Sequence, residues 1–151
     1  MSALSDLKDA IVGGLRADPT IAGIVGQKVY DEVPRDQRGE PSDAEAPFIY
    51  IGPIGRRRLE YGDRPAWTVS ARLYCVSSAV GRADCWDMAD AVHAALDLQN
   101  FEMPNGNSHD RLKVIGDGDV IAPGAPKQVF LDLTTNLFSA DLYDGAGPIG
   151  A

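Results

Sequence analysis

Side chains that commonly carry chemistry are scarce in this chain. Two cysteines and two histidines stand among 151 residues, and so few, so scattered, do not make a zinc site. Cys75 and Cys85 both fall at apolar-face positions of their segments, so they read as reduced, buried thiols serving as small hydrophobes. No apolar run approaches the roughly 18 residues that a membrane-spanning helix requires. The opening Met1-Ser2-Ala3-Leu4-Ser5-Asp6 has neither the basic start nor the apolar centre of a signal peptide. The expectation is a protein made in the cytoplasm, with no membrane partner, no metal and no cofactor. Positive charge is short as well: 14 Lys and Arg against 22 Asp and Glu leave a formal charge of −8. Phosphate neutralisation supplies most of the affinity for nucleic acid, so tight DNA binding is not expected.

What the chain does have is periodicity. From Trp67 to Cys75, Trp67, Val69, Ala71, Leu73 and Cys75 share one parity while Thr68, Ser70, Arg72 and Tyr74 share the other. A period of two is a strand with one buried face. The period then lengthens. Cys85, Met88, Ala89, Val92, Ala95 and Leu96 recur at three- and four-residue steps, which predicts an amphipathic helix of roughly four turns. This strand and helix bury each other and form the expected core. A second clean strand runs from Gln128 to Ser139, with Val129, Leu131, Leu133 and Leu137 on its apolar face.

Upstream, Leu4, Leu7, Ile11 and Leu15 have helical spacing behind Ser2 as N-cap. Gly13-Gly14 weakens that helix and allows close approach to a neighbour. Asp18-Pro19 opens one further short apolar turn ending at Gly26. Phe48–Ile51 reads as a strand ended by Gly52-Pro53, and residues 54–65 as a long projecting hairpin. Between Pro34 and Pro47 there is no large apolar residue, which predicts a mobile arm. Gly116-Asp117-Gly118-Asp119 reads as a turn interrupting a strand, since it lacks the spacing and closing glutamate of a calcium loop. The order of elements gives an α+β fold over residues 1–140: a mostly antiparallel sheet of about four or five strands, two main helices packed on one face, a long hairpin and flexible arms. Residues 141–151, glycine-rich, form a flexible tail.

Catalytic patterns are thin. Asp90, His93 and Asp97 share one helical surface and could serve a small enzyme as base and orienters, but no nucleophile accompanies them; a solvated helix face is the preferred reading. His109 has no evident partner. The arginine cluster Arg56, Arg57 and Arg58, with Arg64 nearby, is the one concentrated positive patch. A solvated loop or a salt-bridging edge is the preferred reading and a phosphate grip the lesser one. In an assembly of copies the cluster is the expected subunit interface, where arginine can hold a neighbour's carboxylates.

A resemblance also enters. The N-terminal helix followed by Asp18-Pro19-Thr20-Ile21-Ala22-Gly23-Ile24-Val25-Gly26 and Val29-Tyr30 resembles the opening of the phage tail completion family, also called tail terminators or tail-to-head joining proteins. Val33-Pro34 with Ala46-Pro47-Phe48-Ile49-Tyr50-Ile51 resembles its next strand. Thr68–Tyr74 with the helix through Trp86, Ala91 and Leu96 resembles its central strand–helix unit. The resemblance covers residues 3–139. It implies a structural virion protein of a long-tailed phage, prophage or gene transfer agent, made in the host bacterial cytoplasm. It implies a ring, usually a hexamer, that caps the tail tube, meets the tail tube protein on one side and a head-completion or neck protein on the other, and lets DNA pass through its lumen. The alternatives are another neck protein of the same kind of particle or the small enzyme above.

Overall fold

The computed structural model describes residues 2–42, 44–60, 62–77, 83–120 and 127–140. Helix α1 spans Ala3–Ala17, and the Ser2 hydroxyl caps it by accepting from the Leu4 N–H. Its stripe Leu7, Ile11 and Leu15 is wholly buried. Asp18 then caps α2 (Pro19–Val25): its carboxylate accepts from the Thr20 and Ile21 N–H groups at 3.0 and 3.1 Å. Pro19 sits in the first turn, where its missing N–H costs nothing. Gly26, at φ 65°, ends the helix in a region other residues avoid.

Among the described residues six strands form one sheet: β1 (Val29–Tyr30), β2 (Phe48–Leu59), β3 (Ala66–Val76), β4 (Ser108–His109), β5 (Lys113–Val120) and β6 (Gln128–Phe138). The order is β1-β2-β3-β6, and β4 and β5 both lie along the far side of β6. Helix α3 (Ala83–Leu96) joins β3 to that far side. The fold is α+β, but the sheet is mixed rather than purely antiparallel, because β1 runs parallel to β2. Among the described residues a short third helix accompanies the two main ones, since the turn after Asp18 closes into seven helical residues.

The core lies where the parities placed it. Val69, Ala71, Leu73 and Cys75 of β3 and Val129, Leu131, Leu133 and Leu137 of β6 form one buried cluster with the stripes of α1 and α3. Trp67 is only half-buried, because it lies near the end of β3 where the sheet reaches the hairpin turn. Thr135 occupies a buried position of β6 and donates its hydroxyl to the Asp110 carbonyl at 2.8 Å.

Two sequence expectations need correction. β2 does not stop at Gly52-Pro53; its register with β3 shifts between Ile51 and Ile54 and the strand continues to Leu59. Proline is tolerated there because β2 is an edge strand beyond Tyr50, so the missing N–H deprives no neighbour. Gly116-Asp117-Gly118-Asp119 is not a turn but part of β5, again with a register shift, between Val114 and Gly116. The reason for one glycine is visible: a Cβ on Gly118 would lie 2.9 Å from Phe130 Cζ, so the ring packs over bare backbone. Asp6, in the first turn of α1, is fully buried and accepts from the side-chain amides of Asn105 and Asn107 at 3.1 and 2.8 Å. The segment 34–42, within the expected arm, carries hydrogen bonds of its own. Asp36 accepts from the Arg38 and Glu40 N–H groups, and Arg35 donates to the Gly39 carbonyl. The expected tail, 141–151, lies outside the described residues.

Candidate functional site

The arginine cluster lies on the distal half of β2. Arg56, Arg57 and Arg58 are exposed and stand opposite Val69, Thr68 and Trp67 of β3. Paired residues share a sheet face, so Arg56 and Arg58 point to the helix-covered side and Arg57 to the other. The Arg56 guanidinium lies 4.3 Å above the Trp67 ring, which holds the cation without neutralising it. Arg64 sits in the hairpin turn, and the pairing of Leu59 with Ala66 brings it back to the same end of the sheet. Its nearest carboxylate is that of the adjacent Asp63, 3.8 Å away and largely exposed, a pair worth little in water.

The Asp90, His93 and Asp97 surface does not assemble into a base and its orienter. Asp90 and His93 are exposed, while the Asp97 carboxylate accepts from the Val114 N–H at 3.0 Å and so serves the junction of α3 with β5. His109 does have partners: its Nε2 accepts from the Phe101 N–H at 3.1 Å, and its Nδ1 lies against the Asp110 carbonyl. It is buried and fastens the crossover between α3 and β4. Both thiols are buried and free. Burial pushes each above the ordinary cysteine value, and the neighbouring Cys85 adds to the effect on Cys75. Cys85 donates to the Lys127 carbonyl. These are unreactive packing residues. Among the described residues no group of three His, Cys, Asp or Glu stands ready to hold a metal, and no helix is long and apolar enough to cross a membrane.

Sequence reasoning missed the organisation of the sheet face that carries no helix. Arg72 forms a bidentate pair with Asp132, at 2.7 and 3.0 Å, and its guanidinium lies 4.0 Å above the Phe130 ring. Hydrogen bonding to Asp132 pushes Arg72 further toward its charged form. Beside it, Tyr74 stacks on Tyr50 at 5.0 Å, and the row continues through Phe48 to Tyr30. Each residue was visible as the polar or aromatic parity of its strand. Their partnership depends on the register of β3 with β6, which pairs Arg72 with Asp132 and which no local pattern encodes.

The geometry therefore defines an α+β sheet domain with one face covered by its own helices and the other face turned outward. The chain belongs to the tail completion protein gp17 family, whose sequence profile matches residues 9–136. It is thus a structural tail protein of a phage-type virion. Comparison with curated proteins gave no match. Among solved structures, a chain in the virion of a native gene transfer agent particle has a similar fold, with a TM-score of 0.73 at 21% identity over 91% of this chain and 96% of that one.

Proposed function

We propose that this chain completes the tail by closing the end of the tail tube as a ring, six subunits by family resemblance, and that the ring offers the surface to which the head joins. Membership of the tail completion family across residues 9–136 carries this reading. Its partners are further copies of itself, the tail tube protein and a head-completion or neck protein, and DNA passes through the lumen without specific binding. The charge of −8 supports a channel that DNA does not adhere to. Arg56, Arg57, Arg58 and Arg64 lie at the contact between copies, where several exposed ion pairs of about 0–1 kcal/mol each act together around a closed ring.

The test is the particle itself. Removing the gene should leave filled heads and tails with an unclosed tube end that fail to join, and supplying the protein should restore joined particles; intact particles without it would refute the proposal. Replacing Arg56, Arg57 and Arg58 with serine should weaken oligomerisation or tail attachment while the monomer stays folded. If that variant assembles normally but loses DNA retardation seen with the parent, the cluster serves DNA contact instead.

A further inference from the structure

Among the described residues both outer edges of the sheet are open along part of their length, and those parts carry opposite charge. On one side, β1 pairs with β2 only at Ile49 and Tyr50; among the described residues no strand pairs with the outer side of β2 from Gly52 to Leu59. On the other side, the outer edge of β5 is occupied at its start. Asp97 holds the Val114 N–H, and Leu112 exchanges backbone hydrogen bonds with Leu98 and Gln99. From Ile115 to Val120 no described strand lies beyond it. Ile115, on that edge, is 64% exposed.

Open edges invite strand addition, and proteins commonly guard them with charge, proline and bulges. Both edges here have a bulge, and β2 has Pro53. Guarding alone would be served by like charges, which repel a second copy. These edges differ instead: Arg56, Arg57 and Arg58 on β2, and Asp117 and Asp119 on β5. The faces agree as well. Asp117 and Asp119 stand opposite Leu131 and Val129 on β6, whose side chains are buried under the helices, and the Asp119 carboxylate accepts from Trp86 of α3 at 3.1 Å. The side chains of Arg56 and Arg58 point to that same side of the sheet.

We infer that the ring is held by β-strand addition between copies: the distal half of β2 in one subunit pairs with β5 of the next. This inference rests on the ring proposed above. Within the sheet β2 and β5 run in opposite directions, so repeating the subunit side by side makes the new pair antiparallel, with all helices on one face. One register sets Arg58 opposite Asp117 and Arg56 opposite Asp119, and brings Arg57 opposite Gly118, which has no side chain to obstruct it. Such a head-to-tail contact is the kind that generates rings. The stagger is also reasonable. Arg56 is level with Thr135 through Val69, and Asp119 with Val129, positions six residues apart on β6. A shift of that size per four strands inclines the strands by roughly 45° to the ring axis, near the range in which closed sheets settle.

Charge reversal tests the register. Arg58→Glu and Asp117→Arg should each raise the concentration at which rings form on the order of tenfold at low salt, with circular dichroism and melting of the subunit unchanged. The double variant should restore assembly. Arg57→Glu combined with Asp117→Arg should not, because those side chains lie on opposite faces. If Arg58→Glu and Asp117→Arg leave assembly untouched, or the double variant is no better than either single one, the strand-addition contact is wrong while the ring stands. Native mass spectrometry of the parent at the same concentrations separates the two proposals, since a parent that stays monomeric overturns the ring and this contact together.

Discussion

Adjacent glycines in α1 should respond oppositely to the same substitution. Gly13 and Gly14 both lie in the interior of the helix. A methyl group on Gly13 meets nothing within 4 Å, whereas on Gly14 it would stand 2.6 Å from both Cε1 and Cζ of Phe101. Alanine in place of glycine favours a helix interior by about 1 kcal/mol. Gly13→Ala should therefore stabilise the domain by about 0.5–1 kcal/mol, or raise its melting temperature by roughly 1–4 °C at this chain length. Gly14→Ala gains the same backbone contribution but must displace a ring tied to the core through His109, and overpacking costs about 1–3 kcal/mol. The net should lie between no change and a loss of about 2 kcal/mol. Urea titration reads both, provided the slope with denaturant is unchanged. In a double-mutant cycle, Phe101→Leu should relieve the Gly14→Ala defect. Equal stabilisation by the two alanines would mean that Phe101 does not pack on the helix at Gly14.

Leu73→Ala and Leu96→Ala, both at fully buried positions, should each cost about 2–5 kcal/mol in the same titration; a loss under about 0.5 kcal/mol at both sites would refute the assigned core. The thiols predict an alkaline limit. Burial raises the native pKa of Cys75 and Cys85, so the unfolded chain ionises first. Their contribution to stability is whole below pH about 9 and falls by up to about 1.4 kcal/mol per pH unit per thiol as pH rises further. Cys75→Ala should flatten that decline, and an unchanged slope would refute the assignment. In native protein at neutral pH both cysteines should resist alkylation, so rapid labelling would mean that they are not buried.

Much of the core was legible because burial repeats with the period of the backbone. Val69, Leu73 and Cys75 announced a strand face, and Met88, Val92 and Leu96 a helix stripe, without knowledge of their partners. Errors collected where edge strands relax the usual rules. Gly52-Pro53 would break a central strand but is harmless at an edge, and Gly116–Asp119 carries turn residues although it is extended, because one glycine makes room for Phe130. The arginine cluster was legible as charge. That Arg56 and Arg58 share a face with Asp117 and Asp119 was not, because face assignment passes through two bulges and three registers. Likewise, Asp6 in α1 and Asn107 in the far crossover are about a hundred positions apart, and only tertiary packing pairs them.

The hydrogen bond from Val114 to Asp97 limits what the β5 edge can accept. An added strand that slid past Ile115 toward Lys113 would have to evict the carboxylate from that N–H and then displace Leu98 and Gln99 from Leu112. The end of α3 thus acts as a stop. It leaves six residues of edge, Ile115 to Val120, and gives an incoming strand a fixed point from which its alignment is measured. A strand with repetitive charge, such as one carrying three consecutive arginines, could otherwise settle in several alignments of similar energy. The stop removes the alignments that run past it.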